Sequence, residues 1–290
     1  MEKMPNKFCV FIISHGRPDN VATLETLKRC GYDGSLFIVC DNEDKTIDEY
    51  RSNFGEKRIL VFDKIKYAAM VDNCDNFQNR RTTTHARNAC FDFAASLGFE
   101  YFLILDDDYT GFDFVLDKNS RFAKKNVLSI SRVFDSIASM LDADKRIDSI
   151  CILQGGDLIA GASNTPLSRG HYPFRRRKAM NSFFCKTNRR FWFFSRLNED
   201  VNTYLALGSV GRLFFTIPDL CLYQKTTQKN KGGMSEAYLA SGTYVKSFYS
   251  VMICPSFVKA AHRHEMGRIH HQIDWGNAVP KIINESHKKL

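Results

Sequence analysis

An α/β fold, with a mainly parallel, doubly wound sheet carrying helices on both faces, is what this sequence predicts, and three observations predict it. Short continuous apolar runs recur along the chain, and each is followed by a segment of helical periodicity; buried parallel strands read as unbroken apolar runs joined by helical crossovers. The first run, Phe8 to Ile13, leads into Ser14-His-Gly-Arg-Pro18 and not into a Gly-x-Gly-x-x-Gly turn, so an ordinary dinucleotide-binding fold is disfavoured. The run from Tyr101 stops abruptly at three adjacent carboxylates, Asp106, Asp107 and Asp108.

Taken in order, the first strand is followed by a helix through Val21, Leu24 and Leu27, with Asp19 or Asn20 as its cap and Cys30-Gly31 as its stop. Leu36 to Cys40 is the second strand, ending at Asp41, and Thr46-Ile-Asp-Glu49 has capping-box spacing for a short helix. Arg58 to Phe62 is the third strand. A helix from about Thr82 presents Ala86, Ala89, Cys90, Phe93, Ala94 and Leu97 as one stripe and ends at Gly98. Arg87 and Asn88 fall in its first turn, where a cation opposes the helix dipole; the placement suits either a nearby anionic ligand or a plain exposed arginine.

The run into the acidic triplet is the fourth strand. Leu128 to Leu141 follows as an amphipathic helix, and Ser149 to Leu153 as a strand leading into Gln154-Gly155-Gly156-Asp157. Paired glycines allow close backbone approach to a ligand, and a tight turn explains them equally well. Met180 to Lys186 is strand-like, Asn198-Glu199-Asp200 opens a helix running to Gly208, and Arg212 to Ile217 is a late strand.

The 290 residues are 44% apolar, enough for a sizeable core, and the 24 Phe and 11 Tyr exclude a disordered or low-complexity class. Nine cysteines are scattered without a Cys-x-x-Cys pair. They read as reduced core residues, with neither a disulfide framework nor a zinc knuckle. No apolar stretch approaches the roughly 18 residues of a membrane span, so a cytoplasmic protein without a membrane partner is expected. Lys and Arg exceed Asp and Glu by 41 to 32, a net charge of +9 that favours a polyanionic partner, nucleic acid before anionic membrane.

Ligands of open α/β sheets collect beyond the carboxyl ends of the strands, where the acidic triplet lies. Adjacent carboxylates repel one another, and a hard divalent cation, Mn²⁺ or Mg²⁺, relieves that repulsion. A solvated acidic turn is the alternative. Between Asn164 and Lys178 the chain is loop-like and basic; Arg175, Arg176, Arg177 and Lys178 follow His171, Tyr172 and Phe174, a mixture that suits phosphate contact with base stacking or simply a solvated loop. In the tail, His262, His264, His270 and His271 stand among Lys259, Arg263 and Arg268. No cysteine joins them, which argues against a closed structural zinc site.

In this order the motifs resemble a GT-A glycosyltransferase: Ser14-His-Gly-Arg-Pro after the first strand, Asp41 after the second, Ala86-Arg-Asn at a helix start, Asp106-Asp-Asp108 closing the fourth strand and Asn198-Glu-Asp200 late in the sheet. Gly232-Gly-Met-Ser-Glu236 with Tyr244, and Arg268-Ile-His-His271 with Pro280-Lys281, are similar to the glycosyltransferases associated with TET/JBP dioxygenases in phage genomes. The resemblance implies one GT-A-like domain over 1–290, with a nucleotide-binding half to about 115 and an acceptor-side half with the tail beyond it. It implies a nucleotide-sugar donor, a UDP-sugar first, a divalent metal, and the hydroxymethyl group of a modified pyrimidine in DNA as acceptor, in a host cell's cytoplasm if the chain is phage-encoded.

By the same resemblance Ser14, Arg17 and Asp41 line the nucleotide pocket, with Asp107, Gly155 and Gly156 on the donor side, and Arg87 meets the diphosphate. Asp106 and Asp108 face the metal, with His270 or His271 as a further ligand. Asp200, or its neighbour Glu199, is the base of an inverting mechanism, with the aromatic run Phe191 to Phe194 walling the acceptor side. Arg175 to Lys178 meet DNA. A nucleotidyltransferase, a metal-dependent nuclease or phosphatase, and a catalytically silent DNA-binding module remain as rival readings, because fold does not fix function.

Overall fold

Along Phe8–Ile13 (β1) every residue is buried, and the side chains alternate between two cores: Phe8, Val10 and Ile12 enter one, Cys9, Phe11 and Ile13 the other. A strand covered on both faces has no polar side, which is why its sequence is an unbroken apolar run. The protein, seen in a computed structural model, is described for residues 7–72, 80–116, 122–154, 181–224, 244–263, 267–278 and 285.

Parallel to β1 lie Ser35–Asp41 (β2) on one side and Tyr101–Asp106 (β4) on the other, with Ile59–Phe62 (β3) beyond β2. The chain therefore builds outward from β1 to β3 and then returns to the far side of β1 for β4. That reversal is a topological switch point, where crevices form at the carboxyl ends of the strands. The sheet continues through Phe183–Lys186 (β8), Ile147–Gln154 (β7), Leu213–Gln224 (β9), Tyr109–Leu116 (β5) and Phe122–Asn126 (β6), in the order β3-β2-β1-β4-β8-β7-β9-β5-β6. Seven of these nine strands run in one direction; β5 and β8 are reversed. The fold is thus the expected α/β, mostly parallel sheet with helices on both faces.

One face is covered by Ala22–Arg29 (α1), Ile47–Phe54 (α2) and Ile130–Ala143 (α5), through Leu24, Leu27, Tyr50, Phe134, Ile137 and Leu141. The other takes Thr84–Ser96 (α4) and Glu199–Ser209 (α6), through Ala89, Cys90, Phe91, Ala94, Val201, Tyr204 and Leu205. Each fully buried side chain of this size contributes about 1.5–3 kcal/mol of hydrophobic free energy. Lys64–Ala68 (α3) follows β3, capped by Asp63, whose carboxylate accepts from the backbone N–H groups of Ile65 and Lys66. Tyr244–Ile253 (α7) precedes a separate antiparallel ribbon, Val258–Arg263 (β10) with Arg268–Ile273 (β11), and Trp275–Ala278 (α8) follows it. All eight described cysteines are free and buried, and among the described residues no helix is long and apolar enough to cross a membrane.

Several local expectations are corrected. Helix α1 starts after Val21 without a side-chain cap, so neither Asp19 nor Asn20 caps it; the Asn20 N–H instead closes a turn onto the Arg17 carbonyl. Thr46 stands at the head of α2, but its hydroxyl donates to Asp44 Oδ1 (2.7 Å) and no capping box forms. Leu128 lies outside α5 and is 75% exposed. Strands β5 and β6 had no counterpart in the sequence pattern. Register shifts at each end of β5, near Gly111 and between Phe114 and Leu116, break the period of two that would mark a strand. Strand β9 extends beyond Ile217 to Gln224 because it shifts register at that point and goes on to pair with β5.

Candidate active site at the switch point of the sheet

The acidic turn sits where the switch point predicts, and its carboxylates are held differently. Asp107 is buried, 1% exposed, while Asp106 and Asp108 are half-buried. The turn is braced from α1, since Thr23 donates its hydroxyl to the Asp106 carbonyl (2.6 Å) and its N–H to the Asp107 carbonyl (3.1 Å). Asp107 faces the loop after β1. The Arg17 N–H donates to the Tyr50 hydroxyl (2.9 Å), Tyr50 and Ser14 share a bond of 2.7 Å, and Ser14 donates to Asp107 (2.5 Å). The Arg17 guanidinium pairs with the same carboxylate at 3.1 Å. Burial pushes Asp107 up to about 6, against the pull of Arg17 and Ser14.

A second cluster occupies the ends of β1 and β2. His15 Nδ1 lies 2.7 Å from Asp41, Lys64 Nζ lies 3.2 Å from the other Asp41 oxygen, and the Gly16 N–H donates to Asp44 (2.8 Å). Gly16 has a φ of 68°, a left-handed conformation that a side chain would resist. The Asp41 hydrogen bond raises the His15 pKa. Burial alone would raise Asp41, but His15 and Lys64 hold it below the usual carboxylate range. Beneath this cluster His85 is fully buried with neither ring nitrogen hydrogen-bonded, and burial depresses it to about 4, so it is neutral.

The third cluster joins β4 to α6 through one residue. Arg87, 1% exposed, pairs with Asp106 at 3.0 Å and with Glu199 at 3.1 Å, and donates to the Asn181 carbonyl (2.9 Å). The rings of Phe183 and Phe193 lie 5.5 and 5.8 Å from its guanidinium carbon. Thr83 also donates to Glu199. Burial drives Asp106 up to about 7 in spite of Arg87, with Asp108 and Glu199 adding to the rise. Arg87 therefore faces carboxylates, and its expected meeting with a diphosphate is corrected: the cation opposing the helix dipole is compensated by two anions of the chain itself. Phe191 and Phe193 belong to the core beside it instead of walling a pocket; Trp192, 43% exposed, is the outward member of that run.

At the head of α6 the two candidate bases differ. Glu199 is tied to Arg87 and Thr83, whereas among the described residues Asp200 accepts from the adjacent Val201 N–H (2.8 Å). Burial, then the charge of Glu199, raises the Asp200 pKa. Asn198 precedes them with a φ of 55°, a conformation asparagine tolerates better than most residues. Its Nδ2 contacts the Lys246 carbonyl (3.3 Å), Ser250 Oγ (3.0 Å) and His271 Nδ1 (3.2 Å).

That contact bears on the histidines. Where Asn198 donates to it, His271 Nδ1 is an acceptor and its lone pair is engaged by the amide. His270 donates from Nδ1 to the His271 carbonyl (2.6 Å), which leaves the lone pair on Nε2, and the two rings stack at 4.3 Å. Among the described residues no three His, Cys, Asp or Glu side chains are grouped to hold a metal, so the expected set of Asp106 and Asp108 with His270 or His271 is not brought together. The Asp106–Asp108 pair itself fits a hard divalent cation: both are half-buried carboxylates at one strand end, and the charge of Asp108 contributes to the raised Asp106 pKa. Gly155, Gly156, Arg175, Arg176, Arg177 and Lys178 lie outside the described residues. The sequence reading missed His15, Asp44, Tyr50, Lys64 and His85, for which spacing carries no signal beyond the presence of His15 in the turn after β1.

The acidic turn, its carboxylates paired with the buried Arg87 and the partly exposed Arg17, thus stands at the switch point of the sheet, where ligands of open α/β folds bind. Residues 8–233 match the sequence profile of the TET-Associated Glycosyltransferase family, and the chain belongs to that family. A comparison with curated proteins finds no match. Among solved structures the chain is similar to glucosyl-3-phosphoglycerate synthase from Mycobacterium tuberculosis in complex with Mn²⁺, UDP-glucose and phosphoglyceric acid, at 10% identity and a TM-score of 0.49, covering 93% of this chain and 88% of that one. It is also similar to residues 1–349 of S. aureus TarS, at 14% identity and a TM-score of 0.42, covering 86% of this chain and 66% of that one.

Proposed function

We propose that this glycosyltransferase moves a sugar from a nucleotide-sugar donor, a UDP-sugar, to a hydroxymethylated pyrimidine in DNA, with a divalent cation at the acidic turn. The observation that carries the reading is the division of labour within Asp106-Asp107-Asp108. Asp107 is sequestered by Ser14 and Arg17, leaving the half-buried Asp106 and Asp108 to hold Mn²⁺ or Mg²⁺. The bound cation would offset charge developing on the leaving diphosphate without a proton transfer.

Ser14, Arg17 and Asp41 then line the donor pocket, with His15 and Lys64 fixing the Asp41 carboxylate. Arg17 takes the phosphate-facing role first expected of Arg87. Its side chain is 20% exposed, and its buried Nε has no hydrogen-bond partner among the described residues, which suits it to a phosphate oxygen. Asp200 removes the proton of the attacking hydroxyl, a step worth about 10²–10⁴-fold, and its raised pKa makes it a stronger base than an exposed aspartate. Glu199 keeps Arg87, and through it Asp106, in place.

The test is product analysis with a panel of nucleotide sugars, Mn²⁺ or Mg²⁺, and DNA with or without hydroxymethylated pyrimidines. Release of nucleoside diphosphate only with the modified DNA is expected, and Asp108→Asn should abolish it while leaving the fold intact. Pyrophosphate release would favour a nucleotidyltransferase, cut DNA a nuclease, and full activity in chelator would remove the metal from the reading.

A further inference from the structure

The ribbon formed by β10 and β11 has an unusual composition. Its twelve strand residues include Lys259, Arg263 and Arg268, three histidines, and no aspartate or glutamate. Pairing registers Lys259 with Gln272, Ala261 with His270 and Arg263 with Arg268, while Val258, Ala260 and His262 pair with Ile273, His271 and Ile269. Directly paired residues share a face of an antiparallel ribbon, and successive residues alternate between faces. One face therefore holds all the Lys and Arg positions, with Gln272, Ala261 and His270; the other holds Val258, Ala260, Ile269 and Ile273 with His262 and His271.

The face without Lys or Arg meets the body at the open end of the ribbon, while Ala260 and His262 on the same face are exposed. Val258 is buried, Ile273 packs on the core beneath α4 and α6, and His271 contacts Asn198 at the head of α6. Helix α7 buttresses the same junction, through Ser250 to Asn198 and Ser247 to the Ile269 carbonyl (3.4 Å). On the opposite face Lys259 and Gln272 are exposed. The cationic face thus lies on the side of the ribbon opposite the His271 contact with Asn198, the residue that precedes Glu199-Asp200.

An enzyme acting on a base within a duplex must draw that base out of the stack while the backbone stays outside. A cationic surface on the ribbon that meets the head of α6 suits the backbone. Although the major groove can admit a two-stranded ribbon, this one has a face committed to the protein, so contact with phosphates is favoured over insertion. We propose that the outward face of the β10–β11 ribbon, through Lys259, Arg263 and Arg268, seats the phosphate backbone of the acceptor DNA. The proposal rests on the DNA-acceptor reading above, and it places DNA contacts in the tail in addition to any made by Arg175 to Lys178.

The experiment measures binding of the full chain to an unmodified duplex by fluorescence anisotropy across a salt series, for the parent and for Lys259→Gln/Arg263→Gln/Arg268→Gln. Each lost phosphate contact lowers the slope of log affinity against log salt by about one. The triple variant should lose about three in slope and at least about tenfold in affinity, with turnover of a hydroxymethylated mononucleoside unchanged and KM for modified duplex raised. Lys259→Gln alone changes an exposed position, should fold as the parent does, and should lose about one. If the parent binds DNA and neither variant changes slope or affinity, the ribbon is not the DNA face; loss of slope only on neutralising Arg175, Arg176 and Arg177 excludes it equally. If the parent binds no DNA, the acceptor reading fails first and this proposal with it.

Discussion

The two ends of the site are built in opposite ways. At the end formed by β1, β2 and α3, His15, Asp41, Asp44 and Lys64 all come from the first 64 residues, His15 lies near both carboxylates, and His15 is 43% exposed at its side chain. At the acceptor end a single buried arginine holds carboxylates from β4 and α6, 112 positions apart in the case of Glu199. The first arrangement spreads charge over several groups: Asp41, Asp44 and Lys64 are buried, and His15 is the partly solvated member, worth little by itself. The second concentrates it on one group in a low-dielectric site, where removing a partner strands two charges.

The sharpest way to break this contrast is Arg87→Ala. Leaving Asp106 and Glu199 without their cation should cost about 3–5 kcal/mol in denaturant unfolding and abolish turnover. Substitution at His15 should cost less than about 1 kcal/mol. Similar losses at both positions would show that the two ends are held alike.

Next in size is Asp200→Asn. Because Asp200 accepts a local backbone bond from Val201 that an asparagine oxygen can also accept, the substitution should leave unfolding free energy within about 1 kcal/mol of the parent while turnover falls by about 10²-fold or more at unchanged donor affinity. Glu199→Gln separates the neighbours: the ion pair to Arg87 predicts loss of stability together with activity. Stability loss at Asp200 and none at Glu199 would exchange their roles.

The smallest effect is a titration. His15 has a folded-state pKa raised by its hydrogen bond to Asp41, so the stability it contributes is fully present below its ordinary value near 6.5 and is lost as pH rises through the raised one. Asp41 is lowered, so its contribution is present above its ordinary value and lost as pH falls through the depressed one. The pair therefore acts between the lowered Asp41 and the raised His15 pKa. NMR titration should find His15 above 6.5 and returned toward it by Asp41→Asn; an unchanged His15 would show that the donor cluster is not electrostatically coupled.

What the sequence by itself determined is the part written in continuous apolar runs and their ends. Strands β1, β2, β4 and β7 are buried on both faces, so composition alone marks them, and the carboxylates Asp41 and Asp106 to Asp108 were found because they stand where such runs stop. What only the tertiary structure decided is each charge's partner. Whether Arg87 meets a phosphate or a carboxylate depends on whether Glu199 arrives beside it, and that follows from packing α6 against the same face of the sheet as α4. The tail ribbon was equally hidden, since its strands alternate cationic and packed positions too briefly to announce themselves until β10 finds β11. Hydrophobic periodicity is a local property of the chain; the pairing of charges is a property of distances that exist only once it has folded.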